Sequence, residues 1–181
     1  MPVSKKHVVL GVCGSIAAYK AADIVRRLQD EGMTVSVIMT ACAEKFITPL
    51  TLASLSGKKV FREMFDPEGT EWRIDHVNLA DDADVLVIAP ATANVISKIA
   101  CGIADDLLTC TALATRAPVL IAPAMNDGMF TNKIFQENID KLKKHRVIFI
   151  DPIVGGLACG RQGKGHLADA ADIVKAVKEV L

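Results

Sequence analysis

The chain has 181 residues, enough for one domain with a core of its own. Its 21 Lys and Arg balance 21 Asp and Glu, and no basic stripe or acidic tail appears, so charge directs it neither to nucleic acid nor to a membrane surface. Hydrophobic residues make up 51% and aromatic ones only 4%, so aliphatic and alanine side chains fill the core, and that much apolar surface fits either subunit contacts or a parallel sheet covered on both faces.

Apolar runs alternate with amphipathic stretches from end to end, the pattern of βαβ units. In chain order, strands are expected at His7–Cys13, Thr34–Met39, Asp84–Ala89, Pro118–Ala122 and Arg146–Ile150, with a weaker edge strand at Lys58–Met64. Helices are expected at Ile16–Glu31, Pro49–Leu55, near His76, at Asn94–Ala114, at Asn132–Lys144 and at Asp169–Leu181, where Asp169 suits the cap. Phe65–Arg73 and the glycine-rich Gly155–Gly165 read as loops. The expectation is one doubly wound parallel sheet in a three-layer, Rossmann-like or flavodoxin-like α/β domain over residues 1–181.

Five cysteines, at 13, 42, 101, 110 and 159, form no CxxC and have no histidine at zinc spacing, so no metal site is expected. Their number is odd, and Met1–Lys6 is too short for a signal peptide or a membrane span. A reducing cytoplasm is the expected location.

Open α/β sheets bind ligands beyond the carboxyl ends of their strands. The first such end reads Gly11-Val12-Cys13-Gly14-Ser15-Ile16-Ala17, where glycine admits close backbone approach and the helix start offers free N–H groups to a phosphate. It is not GxGxxG, and Met39-Thr40 stands where a dinucleotide site needs an acid, so the NAD fingerprint is absent. Pro90-Ala91-Thr92-Ala93-Asn94 offers hydroxyl and amide groups beside small residues, or simply a Thr92 helix cap. Pro123-Ala124-Met125-Asn126 places an asparagine at the next strand end, to grip a carboxylate or amide or to make a turn.

His76, beside Asp75, is either a catalyst or a capping residue. His7, His145 and His166 attract less interest. Cys159, in a glycine-flanked loop beside Arg161, has the surroundings of a reactive thiol, whereas Cys13, Cys101 and Cys110 read as small core residues and Cys42 is open.

Together GSIAAYKA, the histidine in DHVNLADDADVLVIAPATAN, KIACGIADDLLT, APAMNDGM and GGLACG resemble, in order and spacing, the homo-oligomeric flavin-containing cysteine decarboxylases, over nearly the whole chain. Within that family the resemblance is to members acting on 4'-phosphopantothenoylcysteine, which they convert to 4'-phosphopantetheine for coenzyme A. It implies FMN contacts from Gly14, Ser15, Ile16, Thr40, Thr92, Ala93, Asn94, Val95 and Ala124. It implies His76 as proton acceptor, Asn126 with Met125 and Ala158 at the substrate, and Cys159 as proton donor. It also implies trimers, alone or stacked into dodecamers, with FMN between subunits.

Two positions depart from the family: Thr92 replaces a usual serine, and His166 stands where an arginine is usual. Relatives often carry a downstream ligase domain, so the chain is a stand-alone enzyme or one domain of a longer protein. Peptide-tailoring cysteine decarboxylases, which stop at an enethiol, need no late proton donor, and Cys159 argues against that reading. Flavin prenyltransferases lack the AMN and ACG motifs. A flavin-binding regulatory subunit is disfavoured by the joint presence of His76, Asn126 and Cys159, and a plain nucleotide-binding module predicts a colourless protein.

Overall fold

The computed structural model describes residues 5–65, 74–156, 160 and 162–181. Six parallel strands form the sheet: β1 (His7–Val12), β2 (Thr34–Met39), β3 (Val60–Phe61), β4 (Val85–Ala91), β5 (Val119–Pro123) and β6 (Ile148–Phe149), in the order β3-β2-β1-β4-β5-β6. β4 lies at the centre, and every one of its residues is buried because helices cover both faces of the sheet. Side chains alternate between two cores. Val8, Leu10, Val12, Val85 and Val87 join one, while Val9, Leu86, Ile88 and Ile121 join the other.

The first core is closed by α1 (Ala21–Asp30), α2 (Pro49–Ser56) and α8 (Ala170–Val180), which contribute Ile24, Leu28, Leu52, Ile173 and Val177. The second is closed by α3 (Asp75–Asp82), α4 (Ala93–Cys101), α5 (Leu107–Ala114) and α7 (Lys133–Lys144), through Leu79, Ile96, Leu108 and Ile139. The result is the expected three-layer α/β domain. The chain order of the strands reverses between β1 and β4, and a crevice opens there beyond their carboxyl ends.

Several local features differ from expectation. The helix expected at Ile16–Glu31 begins as a 3-10 turn, Ile16–Lys20, capped by Ser15, before α1 continues it. The run expected as one helix over Asn94–Ala114 is two. Gly102 adopts φ 72°, a left-handed conformation that ends α4, and Asp106 and Thr109 form a reciprocal capping box that starts α5.

The glycine-rich stretch is not simply a loop: β7 (Ile153–Gly156) and β8 (Gln162–His166) pair antiparallel beside the main sheet. A short helix, α6 (Asp127–Phe130), was not signalled by periodicity because four residues make one turn. Asp169 occupies the α8 cap position but makes no side-chain cap bond. Among the described residues no helix is long and apolar enough to cross a membrane.

Candidate active site

A cavity of about 950 Å³ opens at the β1/β4 switch point, within the size range of small-molecule sites. Its wall holds Gly14, Ser15 and Ile16 after β1, Thr40 after β2, Thr92, Ala93, Asn94 and Val95 after β4, and Ala124, Met125 and Asn126 after β5. Every cofactor position expected from sequence is therefore on one surface, together with two of the three expected at the substrate. Ala158, the third, lies outside the described residues, as does Cys159.

Close packing explains why small residues occupy this rim. A Cβ on Gly14 would collide with the Cys42 side chain and come within 2.9 Å of the Cys42 carbonyl carbon. Glycine thus lets the first turn lie against the backbone after β2, where Thr40 N donates to Val12 O at 3.0 Å. A Cβ on Gly165 would run into the Met125 carbonyl oxygen, while Met125 N donates to Gly165 O at 3.0 Å. That contact fastens the β7–β8 pair over Met125 and Asn126.

Several polar groups of the rim have local partners. Ser15 Oγ accepts from Ala17 N at 3.3 Å, and Thr92 Oγ1 accepts from Val95 N at 3.4 Å, so each caps its helix while keeping a hydroxyl proton to donate. Asn126 Oδ1 accepts from Gly128 N at 2.9 Å and caps α6, which fixes the side chain at the pocket. Thr40 Oγ1 is different: it is buried and has no hydrogen-bond partner among the described residues. A buried hydroxyl left so costs free energy that a bound ligand can recover.

Several wall residues were not singled out from sequence. Lys98 donates to Asp105 at 2.7 Å and Asp106 at 3.2 Å, and the Asp105 contact chiefly holds the lysine above its ordinary pKa. Arg62 reaches Glu44 at 3.5 Å, and Lys20 meets His166 at 3.0 Å. Lys20 and Lys98 stand inside the quoted runs GSIAAYKA and KIACGIADDLLT, so the motifs carried the signal.

His76 is not on this wall. It lies near the start of α3, half-buried, with its Nδ1 buried and unpartnered among the described residues. Exposed apolar Ile74 and Val77 flank it. Of the cysteines expected in the core, Cys13 is buried, and burial pushes its thiol up to about 12. Cys101 is exposed, because it ends α4 on the side away from the sheet core, and Cys110 is half-buried. Cys42 is exposed and lines the pocket.

Residues 2–181 match the family model described as Flavoprotein. The chain belongs to the Flavoprotein family. It is 44% identical over 169 residues to the coenzyme A biosynthesis bifunctional protein CoaBC of Vibrio cholerae, and 46% over 173 residues to that of Bacillus subtilis. These alignments cover 93% and 96% of this chain, which spans 42% of either relative's length.

Among solved structures, a PPC decarboxylase mutant complexed with pantothenoylaminoethenethiol superposes with a TM-score of 0.84 at 32% identity, covering 97% of both chains. The FMN-dependent cysteine decarboxylase SpaF gives 0.81 at 30%, covering 96% of this chain and 98% of its own. This flavoprotein thus groups with the flavin-containing cysteine decarboxylases that its motifs resemble, and shares their fold.

Proposed function

We propose that the chain binds FMN and decarboxylates 4'-phosphopantothenoylcysteine to 4'-phosphopantetheine, a step of coenzyme A synthesis. The observation that carries this reading is a cavity whose wall joins all the FMN positions of the family motif to Met125 and Asn126, with the Thr40 hydroxyl buried in that wall and orphaned among the described residues. The residues present fit the cofactor, because Gly14 lets the first turn pack directly against Cys42 at the cavity rim, and small side chains there leave room for a flat ring.

A cysteine carboxylate resists losing CO2 because the carbanion left behind has no electron sink. FMN bound here would supply a two-electron oxidation at the carbon bearing sulfur, which places the carboxylate β to a C=S group, and would give the same two electrons back as hydride once CO2 has left, so that the overall change is redox-neutral. Ser15, Thr92 and the N–H groups opening their helices would hold the flavin, and Thr40 would add its hydroxyl, which has no partner among the described residues. Asn126, fixed by its α6 cap, grips the substrate carboxylate or amide with its side-chain NH2. His76 accepts a proton from the substrate, and Cys159 returns one to carbon after CO2 has left.

His76 does not line the pocket of its own protomer, so it serves the pocket of a neighbour. The apolar Ile74 and Val77 beside it suit burial in such a contact, and Ile16, Tyr19 and Met129 on the pocket wall are also exposed. A trimer, alone or in a dodecamer, gives every pocket one such neighbour.

The test is product analysis. Protein loaded with FMN should release CO2 from phosphopantothenoylcysteine and yield phosphopantetheine. Cys159→Ser should still release CO2 but accumulate the enethiol, lighter by two hydrogens. A protein that takes up no FMN, or leaves the substrate intact, refutes the assignment.

A further inference from the structure

Lys20, Arg62, Lys98 and His166 all line the pocket, but their charges are not equally matched. Lys98 is held by Asp105 and Asp106, and Arg62 by Glu44. Lys20 has no carboxylate partner among the described residues. Among the described residues its Nζ meets only His166 Nε2, at 3.0 Å. An ammonium can only donate, so the imidazole accepts here and carries its own proton on Nδ1. Two of the three ammonium protons are left for another acceptor, and both side chains are half-buried, where an unmatched charge is costly.

The pair also bridges the two halves of the site. Lys20 ends the turn that Ser15 opens, beside the expected flavin contacts, and His166 follows Gly165, which is fastened to Met125. We propose that Lys20, aimed by His166, forms a phosphomonoester-binding subsite of this pocket. The inference rests on the proposed function, because both of its ligands, FMN and phosphopantothenoylcysteine, end in that group, and the dianion supplies the charge that Lys20 lacks. The subsite makes the enzyme prefer a phosphorylated ligand over its dephosphorylated counterpart.

Two ligand pairs test this: the dissociation constants of FMN and riboflavin for flavin-free protein, and the KM values of phosphopantothenoylcysteine and pantothenoylcysteine for the holoenzyme. Lys20→Gln should narrow the preference for the phosphorylated member of one pair by roughly tenfold or more, the loss expected for a hydrogen bond to a charged group. Lys20→Arg should retain most of it. Narrowing in the flavin pair assigns the subsite to the cofactor phosphate, and narrowing in the substrate pair assigns it to the substrate.

Lys20→Met keeps the aliphatic stem and serves as a second neutral variant should Lys20→Gln fail to fold. His166→Leu, which removes the aiming acceptor, should narrow the same pair to a smaller extent. Unchanged preferences in both pairs for the Lys20 and His166 variants, with FMN binding and CO2 release intact in the unmodified protein, overturn the subsite alone. Unmodified protein that neither binds FMN nor releases CO2 overturns the function and the subsite together.

Discussion

Thr40→Val should push folding and cofactor binding in opposite directions. The Thr40 hydroxyl is buried on the pocket wall without a partner among the described residues, and valine replaces it with a methyl of similar size. A buried donor left unsatisfied costs about 1–3 kcal/mol, so removing it should leave the flavin-free protein as stable as before or more stable. A gain of about 1 kcal/mol in a domain of this size raises Tm by about 2–4 °C.

The flavin complex responds the other way. A hydrogen bond to a neutral flavin atom is worth about 0.5–1.5 kcal/mol and one to its phosphate about 1.5–3 kcal/mol, so the FMN Kd should rise roughly 2- to 12-fold or 10- to 150-fold respectively. Thermal melts of the flavin-free protein and a flavin-fluorescence titration measure the two effects separately. If valine lowers Tm while FMN binds as before, the hydroxyl has a folding role and the reasoning is wrong.

Three further outcomes follow from the same geometry. Mixed oligomers of His76→Asn and Asn126→Asp, each inactive alone, should regain about a quarter of normal turnover by random assortment if each site draws on two protomers; no recovery would return His76 to its own pocket. Iodoacetamide should modify Cys42 and Cys101 of the folded flavin-free protein and spare Cys13, and saturating FMN should protect Cys42; equal Cys42 labelling with and without FMN would count against cofactor contact at that wall.

Burial, aided by the Lys58 charge, holds the His7 imidazole below its ordinary pKa of 6.5, so the fold favours its neutral form. That contribution is present above pH 6.5 and is lost as pH falls through the lowered value, so urea midpoints should drop on that side and His7→Gln should flatten the profile. The Asp84 carboxyl, lowered mainly by the hydrogen bond from His7 N–H, withdraws its own contribution only below its ordinary 3.8, a second and lower step.

What the sequence determined by itself was the sheet and most of the pocket rim. Thr34–Met39 is read to the residue, because a strand covered on both faces is mostly apolar and β-branched, and that demand is local. Gly14, Thr92 and Asn126 are legible for a related reason: the ends of parallel strands form the ligand crevice, so small and polar residues just beyond each apolar run mark it.

Tertiary structure decided the rest, where the outcome depends on partners distant in sequence. Periodicity runs through Gly102 without a break, but its left-handed backbone and the Asp106 cap divide the helix. His166 looks idle in sequence and meets Lys20, 146 residues away, only because Gly165 has no Cβ to keep β8 from the Met125 backbone. His76 carries the strongest catalytic signal of the four histidines, yet the fold puts it outside its own pocket, because α3 packs on α5 rather than over the switch point.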